Sequence, residues 1–124
     1  MNETVVAKDG ENEVPVPQAW RPTLTAIVDA LIQGGELSLP QVTLQSPDVW
    51  ASAQDSIRAH GAHLRKLPDE SWNSSVCIWY GEFWDVLVDL YTEEEEERSD
   101  LVLQVHVYEV GDGYRYEVVL VYVP

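Results

Sequence analysis

Phe83-Trp84-Asp85-Val86-Leu87-Val88-Asp89-Leu90 alternates two sets of side chains: Trp84, Val86, Val88 and Leu90 against Phe83, Asp85, Leu87 and Asp89. Side chains two apart share a face of a strand, so this octet is a strand with one wholly apolar face. The pattern continues downstream. Leu101, Leu103, Val105 and Val107 alternate with Val102, Gln104, His106 and Tyr108, and Tyr116, Val118, Leu120 and Tyr122 alternate with Arg115, Glu117, Val119 and Val121. Gly81-Glu82 and Asp112-Gly113 lie between these runs and signal tight turns, because Gly and Asp-Gly supply positive φ. Ser74 to Pro124 therefore reads as four consecutive antiparallel strands.

Register follows from parity, since a slip of one residue turns every side chain to the other face. A Gly111-Asp112 turn sets His106 opposite Glu117 and Val105 opposite Val118. An Asp112-Gly113 turn sets His106 opposite Val119 and Tyr108 opposite Glu117. Both keep the apolar faces together. In the preceding hairpin, Asp85 opposite His106 and Val86 opposite Val105 satisfy the same parity and leave Tyr91 to Asp100 as a long charged connection. Asp85, His106 and, in the first register, Glu117 then form a polar row across three strands.

Outward from this stretch, a chain of 124 residues is the size of one domain and buries a core without staples. Residues 1–16 are polar and acidic, end near Pro15 and Pro17, and read as a flexible leader. Residues 17–124 form the single domain. Pro22 suits the first turn of a helix carrying Leu24, Ile27, Val28, Leu31 and Ile32, stopped by Gly34-Gly35. Glu36 to Gln45, interrupted by Pro40, reads as loop or a short edge segment. Ser46 is the expected N-cap of a second helix with Trp50, Ala53 and Ile57 on its apolar stripe, closed by Gly61. Ala62 to Leu67 reads as a short strand before Pro68. The expected fold is α+β, with two N-terminal helices packed on one face of a four- or five-stranded antiparallel β-meander.

The charge is concentrated. The chain has 22 acidic and 7 basic residues, a net −15. Between Glu82 and Glu117, 12 acidic residues face only Arg98 and Arg115. Such a field repels nucleic acid and anionic membrane and draws basic proteins. Cys77 is the only cysteine, which excludes an intramolecular disulfide and suits a reducing cytoplasm. The N-terminus lacks the apolar core of a signal peptide, and no apolar run reaches membrane-spanning length.

Gln18 to Gly34, the run Ser75 to Gly81 followed by Phe83 to Leu90, the segment Glu97 to Leu101 and the ending Val121 to Pro124 together resemble a family of small uncharacterised bacterial acidic proteins, a domain of unknown function. The similarity spans nearly everything after the leader. It implies no activity and no site residues.

Asp85, Asp89, His106 and Glu117 are the candidate constellation, because carboxylates beside a histidine can orient it as a base or hold a ligand. Asp85 and Asp89 stand about 13 Å apart on one strand, too far to share an ion. The plain alternative is a set of cross-strand pairs on an exposed face. Glu93, Glu94, Glu95, Glu96, Glu97 and Asp100 extend the carboxylates into a loop that either solvates the surface or contacts a basic partner. His60 and His63 have a His-x-x-His spacing but lack the further ligands a zinc site needs. Cys77, among apolar neighbours, is expected to be a buried, inert thiol. Trp72, Trp79, Trp84, Phe83 and Tyr80 form either core or an aromatic recognition patch. With no phosphate loop, nucleophile elbow or metalloprotease motif, no metal or cofactor is expected. The leading expectation is a non-enzymatic binding module of inhibitor or immunity type for a basic protein. Alternatives are a small ligand-binding or enzymatic domain using Asp85, His106 and Glu117, and an oligomerising scaffold that buries the aromatic face.

Overall fold

The computed structural model describes residues 6–96 and 98–124. Its architecture is α+β, built on a six-stranded, mostly antiparallel sheet. In chain order the elements are β1 (Val14–Pro15), a 3-10 turn (Gln18–Trp20), α1 (Arg21–Gln33), β2 (Val42–Leu44) and α2 (Val49–Ala59). A second 3-10 segment (Asp69–Asn73) precedes β3 (Val76–Trp79), β4 (Trp84–Tyr91), β5 (Arg98–Val110) and β6 (Gly113–Tyr122). The spatial order is β1-β3-β4-β5-β6-β2. The meander of four strands is as expected, but the sheet has six strands rather than four or five, and each added strand has a physical cause.

β1 comes from the segment read as leader. Val14 pairs with Cys77 and Pro15 with Val76, and Val16 behind them is buried. Pro15 has no N–H to donate, which suits it to an edge position. β2 comes from the segment read as loop. Once past Pro40, Val42, Thr43 and Leu44 run parallel to Tyr116, Glu117 and Val118, the one parallel pairing among the described residues. Ala62 to Leu67, expected as a strand, contributes only a single bridge between Leu64 and Thr92.

One face of the sheet is the core face. Trp84, Val86, Val88 and Leu90 of β4, Leu101, Leu103, Val105 and Val107 of β5, and Tyr116, Val118 and Val121 of β6 are all buried. Leu24, Ile27, Val28 and Leu31 of α1 and Val49, Trp50, Ala53 and Ile57 of α2 join them in one cluster. The helical stripe thus meets the period-two stripe, which is why both periodicities were readable. Gly34 ends α1 at φ 77°, a left-handed conformation that disfavours a side chain. α2 begins later than expected. Its N-cap is Asp48, while Ser46 accepts the Val49 N–H through its backbone carbonyl, because Pro47 and Asp48 are used in the preceding turn. No described helix is long and apolar enough to cross a membrane.

β5 and β6 adopt the Gly111-Asp112 turn. Val110 pairs with Gly113, His106 with Glu117 and Val105 with Val118. A bulge then shifts the register, so that Gln104 meets Leu120 and Val121 returns to the core face opposite Leu103. β4 and β5 pair Asp85 with His106 and Val86 with Val105.

Candidate functional site

The second face of the sheet carries the other alternating set, and among the described residues no helix packs on it. The registers align Ile78, Asp85, His106, Glu117 and Thr43 across five strands. Phe83, Tyr108 and Arg115 form the next row towards the turns.

His106 sits at the centre of the first row. Its Nε2 lies 3.4 Å from Asp85 Oδ1 and its Nδ1 lies 3.5 Å from Glu117 Oε1. The three side chains are only 13%, 13% and 18% exposed, low for a face without a covering layer. Their neighbours explain this. The Phe83 ring stacks on the imidazole with centroids 4.0 Å apart, and Tyr108 leans on Phe83 at 5.4 Å. The Gln104 side-chain amide donates to Asp85 Oδ1 at 2.8 Å, and the Tyr108 hydroxyl donates to Glu117 Oε1 at 3.2 Å. Burial, and then the Glu117 charge, push the Tyr108 hydroxyl above its ordinary pKa. Arg115 lies 4.1 Å over the Tyr108 ring, 4.0 Å from Glu117 Oε2, and donates to Thr43 Oγ1 at 3.3 Å.

The two carboxylates bracket opposite nitrogens of one ring. That geometry orients an imidazole, but it keeps the carboxylates on opposite sides of it, so the row does not converge on a single ion. An imidazole with two N–H groups can donate to both neighbours, and one with a single N–H to only one.

The remaining candidate residues fall in two other places. Asp89 is buried at the far end of the same face, 3.1 Å from Arg98 Nη1. Arg98, the exposed Asp100, Val102, Val123 and Pro124 line a shallow depression with it. Glu93 and Glu94 fold back on the segment before β3. The Glu93 N–H donates to the His63 carbonyl at 2.8 Å, and the His63 N–H donates to Glu94 Oε1 at 2.9 Å. The His63 ring meets Glu94 Oε2 at 2.6 Å. Glu95 and Glu96 are exposed, and Glu97 lies outside the described residues. His63, Glu93 and Glu94 bring their ligand atoms within 4.8 Å of one another, all three exposed; His60 is not among them.

Residues 26–124 match the family described as Domain of unknown function (DUF7668). The chain belongs to that family. No curated protein and no solved structure matches the chain. All ten candidate residues lie inside the DUF7668 match, as do Phe83, Gln104, Tyr108 and Arg115, which the sequence reading did not assign to the row. Parity alone places these four on the open face, so the signal was present in the alternation. What the sequence did not show is that they wrap His106. The aromatic set divides by face: Trp84 is core, with Trp79 against it at 4.6 Å and Trp72 packed on the same cluster, whereas Phe83 lies on the open face with the exposed Tyr80 at 5.9 Å.

Proposed function

We propose that this DUF7668 protein is a non-enzymatic binding module of the bacterial cytoplasm, of inhibitor or immunity type, that presents the open face of its sheet to a basic protein partner. The observation that supports this reading is the open face itself. It combines carboxylates held by neighbours, Asp85, Glu117 and Asp89, with aromatic and apolar side chains, Phe83, Tyr108 and Ile78, on a rigid sheet. Aromatic side chains are enriched in protein-recognition surfaces, and the carboxylates beside them supply charge complementary to a basic partner. The net charge of −15 adds long-range attraction for a basic partner.

The test uses the full chain as bait in host lysate at low and then raised salt, beside two open-face variants, Phe83→Ala and the double variant Asp85→Asn/Glu117→Gln. The expected result is one stoichiometric basic protein that binds the unmodified chain, is released by salt and is lost from both variants. A protein retained equally by the variants, or no salt-released protein, overturns the reading.

A second reading rests on the bracketed imidazole. His106 with Asp85 and Glu117 would orient a small polar ligand, and His106→Ala would then abolish a ligand-induced rise in melting temperature. A rise that survives His106→Ala removes that reading.

A further inference from the structure

The end of the core face nearest the β3–β4 and β5–β6 turns is closed by the N-terminal arm, residues 6–16, together with Trp20 of the 3-10 turn. There Trp84 packs against Trp79 at 4.6 Å and Trp20 at 5.2 Å, with Tyr114 at 6.3 Å. The Lys8 ammonium of the arm lies 5.1 Å from the Trp79 ring centroid, 5.9 Å from that of Trp84, and 2.7 Å from Glu109 Oε1. Two indole faces and a carboxylate around one ammonium are the components of a cation-recognition cage. The residues around Lys8 are equally fitted. Ala7 accepts the Trp84 indole N–H at 2.9 Å through its carbonyl, Val6 is buried, and a Cβ on Gly10 would come within 3.2 Å of the Trp79 carbonyl.

We propose that Trp79, Trp84 and Glu109 form a binding site for the alkylammonium group of a lysine carried on an extended segment, and that Lys8 is its resident occupant, exchangeable for a lysine of a basic partner. The DUF7668 match begins at residue 26, so the cage belongs to the family domain and its occupant lies outside it. Lys8 and Glu109 are each about half exposed, at 48% and 50%, so the ammonium is held at a solvent-accessible mouth from which it can leave. β1 pairs only two residues with β3, the shortest ladder in the sheet, so little backbone pairing has to be broken for the arm to leave. Its loss leaves the buried Trp84 indole N–H without an acceptor, the condition Trp20 Nε1 is already in. A replacing segment must therefore supply a carbonyl immediately before its lysine. It must also offer an apolar residue two positions before and a glycine two positions after. This site lies on the opposite face from His106; its capacity to hold a lysine stands by itself, and only the exchange for a partner's lysine rests on the reading of a basic partner.

The experiment compares the unmodified chain with the full-length variants Lys8→Ala and Lys8→Ala/Glu109→Gln, all checked for folding by near-ultraviolet circular dichroism. n-Butylammonium chloride, with n-butanol and sodium chloride as controls, is titrated against indole fluorescence. Saturable binding is expected for Lys8→Ala, none for the unmodified chain, and severalfold weaker binding for the double variant. A labelled peptide copying residues 6–16 is then expected to bind Lys8→Ala severalfold more tightly than the unmodified chain, and its lysine-to-alanine form to bind neither. Equal responses of the unmodified chain and Lys8→Ala, or an n-butanol response matching that of n-butylammonium, overturn the proposal.

Discussion

Cys77 shows at the scale of one residue how position decides chemistry. It lies on the core face of β3, opposite Val86, and burial pushes its thiol up to about 11. The nucleophile is the thiolate, which is then a minute fraction at neutral pH. The native protein is expected to react with a disulfide reagent at pH 8 at least tenfold more slowly than the urea-unfolded chain; equal rates would show that the site opens readily. Its burial was legible from Val76, Ile78 and Trp79 around it. The environment of His106 was legible only in part. Parity placed Asp85 beside it, and the choice between two turn registers decided whether Glu117 stood on the other side. The Phe83 stack depends on how a loop residue just outside β4 folds over its neighbour, which alternation does not encode.

Among the elements, the connection between β4 and β5 is held to the segment before β3 by His63 and Glu94. Hydrogen bonding to Glu94, followed by its charge, raises the pKa of His63 above 6.5. The His63 backbone N–H and then its side chain lower Glu94 below 4.5. A raised histidine contributes stability that is complete below its unfolded value and is lost as pH rises through the folded value. A lowered glutamate contributes stability that is complete above its unfolded value and is lost as pH falls through the folded one. The pair is therefore most effective between about pH 4.5 and 6.5. Melting-temperature differences between the unmodified chain and Glu94→Gln should be larger at about pH 5.5 than at about pH 8.5. The same gap at both pH values would show that only the backbone hydrogen bond to Glu94 matters. Nearby, Ser71 Oγ donates to the Asp89 carbonyl at 2.7 Å and Asp89 N–H donates to Ser75 Oγ at 2.9 Å. These buried serines tie the 3-10 segment to β4 where the ladder with β5 becomes irregular. Small polar residues in a turn-like stretch give no sequence sign of such a role.

At the scale of the whole molecule the net charge is −15. Like charges within a compact chain repel, and salt shortens their reach from about 30 Å at 0.01 M to about 8 Å at 0.15 M. The melting temperature should rise over that interval, and a flat or falling curve would mean that local ion pairs outweigh the general repulsion. The amino-acid order by itself determined the four-stranded meander, the two amphipathic helices and their apolar stripes, because periods of 2 and 3.6 are local and survive in any context that buries them. It also determined which residues share a face up to the β5–β6 bulge, beyond which Val121 takes the core position that alternation assigned to Leu120. Only the tertiary structure decided the outer strands: β1 and β2 are too short to carry a pattern and exist because β3 and β6 offer them an unpaired edge. Tertiary structure likewise decided between the two turn registers, and so placed Glu117 against His106. It also brought Lys8 to Trp79, Trp84 and Glu109 across more than seventy positions of sequence, a meeting that depends on chain path and packing rather than on any local preference.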